Sequence, residues 1–226
     1  MRKAYFMKSL LWALAFVCQT AISQVIPEGY LLQYQQNFSG SKVLGDFKVE
    51  NPMKWGIFKS SANFYLQCSS GDSATAFPSN IAVLNNKVFG DFILEANVMP
   101  QADSSGNAEI CVFLGMRDLS RYYYVNLSNR SDTLNHGIFL VKNLANTKLT
   151  GDSAHIVSWN ENKWHKVRIE RNIVRRTIIV YFDDMTLPLM QVKDYELVMG
   201  SIGVGTYLGP ARFDNLTIWS PTVISE

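Results

Sequence analysis

Cysteine is scarce in this 226-residue chain, which has three cysteines in all. None belongs to a C-x-x-C motif or stands at metal-ligand spacing from a histidine, so the sequence predicts neither a zinc site nor a redox motif. A glycine-rich phosphate loop is missing, and so is the G-x-S-x-G turn of serine hydrolases. These absences argue against nucleotide binding and against nucleophilic catalysis by serine or cysteine.

The chain has no large excess of positive or negative charge, since it contains 21 Lys and Arg residues and 19 Asp and Glu residues. No basic stripe interleaved with aromatic residues is present, and nucleic acid is therefore not an expected partner. No low-complexity linker divides the chain, and helical periodicity is nearly absent. The sequence thus points to one domain built from strands.

The apolar stretch near the N-terminus, LLWALAFV at 10–17, is shorter than the roughly 20 residues of a transmembrane helix. It follows three basic residues (Arg2, Lys3 and Lys8). Ala21 and Ser23 are small residues suited to cleavage. We therefore predict a signal peptide over 1–23 and a secreted, periplasmic or cell-envelope protein whose mature chain has no transmembrane segment.

A lipid anchor at Cys18 is the alternative to release, but the preceding Phe16 and Val17 are larger than the residues of a lipobox. Cleavage after residue 23 of 226 leaves one domain, 24–226, of 203 residues, which is long enough to bury a core. It removes three basic residues and no acidic ones, so the formal charge falls from +2 to −1.

Cys68 and Cys111 are the two cysteines of the mature chain. An oxidising compartment would permit a disulfide between them. The alternative is that both are small buried apolar residues on different strands. The sequence favours the second interpretation.

Alternation of apolar and polar residues recurs in short segments bounded by turn residues. The segment FGDFILEANVMP (89–100) alternates, whereas EICVFLGM (109–116) is apolar on both faces, as expected of a central strand covered from two sides. Further strands are predicted at YYYVNL (122–127), GIFLVK (137–142), WHKVRIER (164–171), TIIVYFD (177–183) and ARFDNLTIW (211–219). This spacing predicts an all-β fold, an antiparallel two-sheet β-sandwich of the jelly-roll type.

Three motifs are the most specific features of the chain: the W-H-x-V-R strand at 164–168, the V-Y-F-D-D hairpin at 180–184, and the closing F-D-N-L at 213–216. Their order resembles that of secreted bacterial laminin-G-like, concanavalin A-like domains related to 3-keto-disaccharide hydrolase-like glycosyl hydrolases. The resemblance implies a concanavalin A-like jelly roll and a sugar-related setting. It does not imply one activity, because this fold hosts lectins, hydrolases and adhesive modules.

Two departures from that family concern its polar groups. Its members carry H-x-D-x-C on the strand that here reads NAEICVFLG, where Glu109 is the remaining carboxylate. They carry GSFDDTG where this chain has GTYLGPA. Any role of the missing groups has therefore been lost or moved.

Glycoside cleavage by the usual route needs two carboxylates about 5–10 Å apart. Neither E-x-D-x-E nor E-x-D-x-x-E occurs, and Glu95 has Asn97 at the alternate position. Glu109 and Asp118 are a second pair that could converge. The candidate catalytic residues are thus Glu95 and Glu109, with solvated charges at strand ends as the alternative.

The run RYYYVNLSN at 121–129 places Tyr122 and Tyr124 on one strand face and Tyr123 on the other. We expect Tyr123 in the core with Val125 and Leu127. Tyr122 and Tyr124 form a candidate platform for stacking on sugar rings, or they cap the edge of the core. We expect Glu95, Asn97, Asn126 and Arg117 to share the face of Tyr122 and Tyr124. The last three would bind sugar hydroxyls. His136 is a further candidate near this face, or a hydrogen-bonded histidine at a strand start.

A structural calcium ion is implied by the family resemblance rather than by spacing. In related sandwiches the Asp of the F-D-N strand meets an acidic residue that precedes F-S-G. Here Asp214 is present, but Asn37 replaces the acidic residue, which weakens the site because calcium prefers charged oxygen ligands. Asp214 and Asn37 are the candidate ligands, and no other cofactor is expected.

The sequence thus leaves three hypotheses for function. The first is a secreted domain that binds a glycan on a sheet face. The second, a glycoside hydrolase, depends on the family resemblance. The third is a non-catalytic structural or adhesive module, which would need an exposed apolar patch.

Overall fold

The computed structural model describes residues 25–40, 43–61, 63–69, 78, 80–103, 105–130, 135–151, 156–159 and 163–224. The predicted signal peptide, with Cys18, lies outside these residues. No helix in the described ranges is long and apolar enough to cross a membrane.

Strands make up nearly all of the regular structure. Two short 3₁₀ turns, Val43–Asp46 and Pro52–Lys54, lie among them. The strands are β1 (Leu31–Gln36), β2 (Phe47–Val49), β3 (Trp55–Ser60), β4 (Asn63–Cys68), β5 (Asn80–Leu84), β6 (Val88–Phe89), β7 (Phe92–Pro100), β8 (Glu109–Asp118), β9 (Arg121–Ser128), β10 (Gly137–Lys142), β11 (Ala145–Lys148), β12 (His165–Asn172), β13 (Thr177–Phe182), β14 (Met190–Lys193), β15 (Ser201–Thr206), β16 (Ala211–Ser220) and β17 (Val223–Ile224).

The strands form two antiparallel sheets. Sheet A has the order β14-β13-β12-β7-β16-β4-β3, and β1 pairs with the second half of β16. Sheet B has the order β11-β10-β9-β8-β15-β5-β2, and β6 and β17 form a separate ribbon. The predicted two-sheet β-sandwich is therefore confirmed.

The core lies between the two sheets because alternate residues of each strand point inward. Sheet A contributes residues such as Leu94 and Val98 of β7, and sheet B contributes Val112 of β8. Tyr123, Val125 and Leu127 of β9 belong to this core, as predicted. The remaining residues of each strand form what we call the outer face of its sheet.

The two described cysteines are separated by sheet B. Cys68 of β4 lies in the core between the sheets, whereas Cys111 of β8 lies on the outer face of sheet B. Both are buried, and no disulfide joins them. The interpretation of two small buried apolar residues on different strands is confirmed.

A buried polar network joins the two sheets where the chain crosses from β14 to β15. The Tyr123 hydroxyl donates to Asp194 Oδ1 and accepts from the Leu197 amide at 3.0 Å. Arg171 donates to the Asp194 carbonyl at 3.0 Å and to the Leu197 carbonyl at 3.1 Å. These bonds fix the crossover segment against both sheets, since they satisfy its buried carbonyl groups.

Candidate functional site

The predicted site residues do not lie on one face. Glu95 and Asn97 belong to β7 and point outward from sheet A, whereas Tyr124 and Asn126 belong to β9 in sheet B. The packed core separates the two sets. The hypothesis of a shared face is therefore wrong, and Glu95 cannot meet Glu109 of β8.

The second carboxylate pair also fails. Glu109 and Asp118 are the first and last residues of β8. At about 3.3 Å per residue they lie roughly 30 Å apart. This is far beyond the separation that glycoside cleavage needs.

Tyr122 and Tyr124 lie on the outer face of sheet B, where each side chain is only 1% exposed. With Phe113 and Phe139 they form an aromatic cluster, in which the Tyr124 and Phe139 rings stack at 4.7 Å with an interplanar angle of 7°. Burial raises the pKa of both tyrosine hydroxyls. The prediction of an open stacking platform is wrong, because both side chains are buried.

Glu109 and Asn126 are neighbours beyond one end of the aromatic cluster. Glu109 Oε1 accepts from the Leu208 amide at 2.6 Å, and Oε2 accepts from Asn126 Nδ2 at 3.3 Å. Burial raises the pKa of the Glu109 carboxyl despite these bonds. His136, just before β10, is buried, and its Nδ1 accepts from the Ser128 amide at 3.2 Å. This is the hydrogen-bonded histidine at a strand start that we gave as the alternative.

Arg117 is exposed at the other end of β8, away from Asn126. It lines a hollow of about 340 Å³ together with Lys48 and Asp118. Hydrogen bonds from Ser120 and Arg121 lower the pKa of Asp118 to about 2. Arg117 therefore belongs to a mixed-charge rim and not to a site with Asn126.

The outer face of sheet A is polar, and a charged ladder crosses its middle: Glu95, Lys166, Arg168 and Glu170. Arg168 is 2% exposed, and its guanidinium donates to Glu95 at 2.9 Å and to Glu170 at 2.7 Å. Lys166 Nζ lies 2.8 Å from the other Glu95 oxygen. Two carboxylates thus share this face, but both are ion-pair partners of one buried arginine.

An aromatic pocket of about 300 Å³ adjoins the ladder on the same face. It is lined by Ser60, Asn63, Tyr65, Met99, Trp164 and Arg212. The Tyr65 and Trp164 rings meet edge to face at 5.9 Å, and the Arg212 guanidinium lies 5.1 Å from the centre of the Tyr65 ring. Arg212 Nε also donates to Gln67 Oε1 at 3.0 Å, so the guanidinium is held in place.

The sequence reasoning missed this pocket, although the W-H-x-V-R strand contains a signal for it. Lys166 and Arg168 of β12 alternate with Trp164, which directly precedes the strand, and the three therefore share one face. Charged residues mark that face as the outer one, and Trp164 must lie beside them. Tyr65 and Arg212 come from strands distant in sequence, which the register alone brings together.

A larger groove of about 680 Å³ lies at the opposite end of the same face. Its floor includes Ile93 and Ile179, and its wall includes Tyr30. The cationic residues Arg175 and Lys193 line it as well. We call it the cationic groove.

The predicted calcium ligands have other partners. Asp214 accepts hydrogen bonds from Asn63 at 3.1 Å and from the Asn215 amide at 2.7 Å, and Asn37 Oδ1 accepts from Ser39. Among the described residues no cluster of three or more acidic, histidine or cysteine side chains stands at metal-binding distance. The hypothesis of calcium at Asp214 and Asn37 does not fit, because nitrogen donors surround a single carboxylate.

Comparison with protein-family models and with curated proteins gives no match. Solved structures share the fold: the chain is similar to the carbohydrate-binding module CBM66 from Bacillus subtilis, with a TM-score of 0.57 and 16% identity over 77% of this chain and 96% of that one. It is similar to a Bacillus subtilis protein of unknown function with a galectin-like fold (TM-score 0.53, 9% identity, 87% and 100% covered). It is also similar to the β-glucanase of Bacillus licheniformis (TM-score 0.50, 12% identity, 83% and 97% covered). At these identities the likeness shows the β-sandwich fold.

Proposed function

We propose that this protein is a secreted carbohydrate-binding domain that holds a glycan on the outer face of sheet A. The observation that carries the proposal is the aromatic pocket, where Trp164 and Tyr65 stand beside a fixed guanidinium. Aromatic rings stack on the apolar faces of sugars, and Arg and Asn side chains bind hydroxyls in fixed directions. Membership of the concanavalin A-like family that the sequence resembles is part of the same proposal.

The rigidity of the pocket supports binding. Arg212 is held by Tyr65 and Gln67, and Asn63 is held by Asp214 at 3.1 Å. Side chains that are already ordered lose little entropy when a ligand binds, so each contact contributes more to affinity. A volume of about 300 Å³ suits one small ligand group, such as one sugar unit.

The charged ladder favours binding over hydrolysis. A glycosidase of the usual kind needs one carboxyl group that is free to give a proton to the leaving oxygen. Glu95 and Glu170 both accept hydrogen bonds from Arg168, and Glu95 is also 2.8 Å from Lys166. We therefore place hydrolysis of a keto-glycoside second, and we expect no turnover of such a substrate.

A glycan array followed by calorimetric titration of the best ligand tests the proposal. We expect Trp164→Ala to weaken binding by at least about tenfold, because an aromatic anchor at the centre of a site carries much of its energy. Trp219→Ala is the matched control, since Trp219 lies on the same face outside the lining of the pocket. Thermal unfolding must show that both variants are folded.

Three results would contradict the proposal. One is an array on which the wild type binds no glycan. Another is equal affinity in Trp164→Ala and the wild type. The third is turnover of a keto-glucoside that Glu95→Gln abolishes, which would favour the hydrolase.

A further inference from the structure

The cationic groove and the aromatic pocket lie on one surface. Trp164, which directly precedes β12, lines the pocket, and Glu170 of β12 lines the groove. Their six-residue separation corresponds to roughly 20 Å along the strand. The ladder residues Lys166 and Arg168 lie between them on the same outer face.

The groove has a surplus of positive charge. Arg175 and Lys193 are exposed, and within the described part of the chain no carboxylate pairs with either side chain. Glu170 is paired with Arg168 at 2.7 Å, whereas Asp91 accepts from the Ile173 amide and keeps its charge. Three cations, Arg171, Arg175 and Lys193, line the groove and outweigh it.

Local structure fixes where these cations stand. Arg175 lies in the turn between β12 and β13, where its amide donates to Asn172 Oδ1 at 2.7 Å. Lys193 is paired with Thr177 at the end of edge strand β14. The two cations therefore stand on adjacent backbone elements that the sheet holds in place.

The rest of the lining suits a sugar ring. Tyr30 presents a phenol from the wall, and Gln191 presents an amide from β14. The Pro27 carbonyl accepts from the Tyr30 amide at 3.1 Å and so closes the turn that carries this wall. Ile93 and Ile179 give an apolar floor. A ring lying on this floor can extend an anionic substituent towards the two cations.

We infer that the cationic groove binds the acidic group of an anionic glycan, either a uronate carboxylate or a sulfate ester on a sugar ring. The inference rests on the proposed function and names the class of glycan that this surface selects. Arg and Lys attract both anions, and the attraction weakens with salt because the cations are exposed.

Calorimetric titration with four ligands tests the inference. They are hexagalacturonate, its full methyl ester, a sulfated galactan hexasaccharide and the same hexasaccharide without sulfate. We expect the wild type to bind at least one anionic ligand about tenfold or more tightly than its neutral counterpart at low salt, with the preference shrinking in high salt. Which anion gains affinity distinguishes the carboxylate from the sulfate.

The double variant Arg175→Gln/Lys193→Gln should abolish that preference and leave affinity for the neutral ligand unchanged. Its matched control is Lys48→Gln/Arg117→Gln, which removes two cations from the hollow on sheet B. Equal binding of acidic and neutral ligands by the wild type, or loss of the preference in the control variant, would overturn the inference.

The two proposals fail in different ways. If neutral ligands bind and Trp164→Ala weakens them while acidic groups add nothing, the inference is wrong and the proposed function stands. If none of the four ligands binds and the array is also blank, both are wrong.

Discussion

The outer faces of the two sheets both carry aromatic side chains but pack them differently. On sheet B, the rings of Phe113, Tyr124 and Phe139 contact one another and are buried. On sheet A, aromatic rings stand beside charged groups and line a pocket. An aromatic residue on an outer strand face can therefore be packing material or binding surface, and its neighbours on adjacent strands decide which.

Glycine makes the difference on sheet B. A Cβ at Gly205 would lie 3.0 Å from the Phe113 ring, and one at Gly137 would lie 3.3 Å from the Phe139 ring. The Phe113 and Phe139 rings therefore occupy space that a side chain at these glycine positions would need. On sheet A, a long polar side chain is the neighbour instead: the Arg212 guanidinium lies 5.1 Å from the centre of the Tyr65 ring.

The largest expected effect comes from disrupting the buried aromatic cluster on the outer face of sheet B. Tyr124→Ala should lower the free energy of unfolding by about 3–5 kcal/mol, because it removes a buried ring from the aromatic cluster. Denaturant unfolding measures this. Tyr195→Ala, at a tyrosine that is 64% exposed, is the control and should cost much less. A small loss for Tyr124→Ala, with glycan binding abolished, would reverse the roles of the two faces.

A second variant disrupts the charged ladder on the outer face of sheet A. Glu95→Gln/Glu170→Gln leaves the buried Arg168 guanidinium without a carboxylate, and should cost about 3 kcal/mol of unfolding free energy. Adding Arg168→Met should recover most of that loss, since it removes the unpaired charge. If the triple variant is no more stable than the double variant, the unpaired charge of Arg168 is not the cause of the lost stability.

The smallest expected effect is the pH dependence of stability that the buried Glu109 on sheet B produces. Burial raises the pKa of Glu109 above its ordinary value of 4.5, so the folded state retains a proton that the unfolded chain releases. The resulting stability is fully present below pH 4.5 and is lost as the pH rises through the raised folded-state pKa. Glu109→Gln removes this dependence. The melting temperature of the wild type relative to the variant should therefore fall with rising pH, and a constant difference would contradict the assignment.

The sequence was sufficient for the fold because alternation is a local property. The alternating segment at 89–100 predicted the strand β7, and the doubly apolar segment at 109–116 predicted a strand buried on both faces. Tyr123 was placed in the core by the same rule. Each inference needed only the two-residue period of a strand.

The site could not be predicted in the same way because it depends on which strands are neighbours. Glu95 and Tyr124 both point outward, but alternation does not tell which of the two sheets a strand joins. Tyr65, Trp164 and Arg212 are far apart in sequence and meet only through the order of sheet A. Whether Tyr122 and Tyr124 are open also depended on the rings of Phe113 and Phe139 on neighbouring strands.

The hydroxyl of Tyr123 links the two sheets at the edge of the cationic groove. It donates to Asp194, the residue directly after Lys193, so the far layer of the sandwich anchors the edge that carries a groove cation. Tyr123→Phe would remove that hydrogen bond without changing any side chain that lines the groove. Under the proposed function, the core of sheet B would thus support the groove of sheet A through a phenol that lies outside both candidate sites.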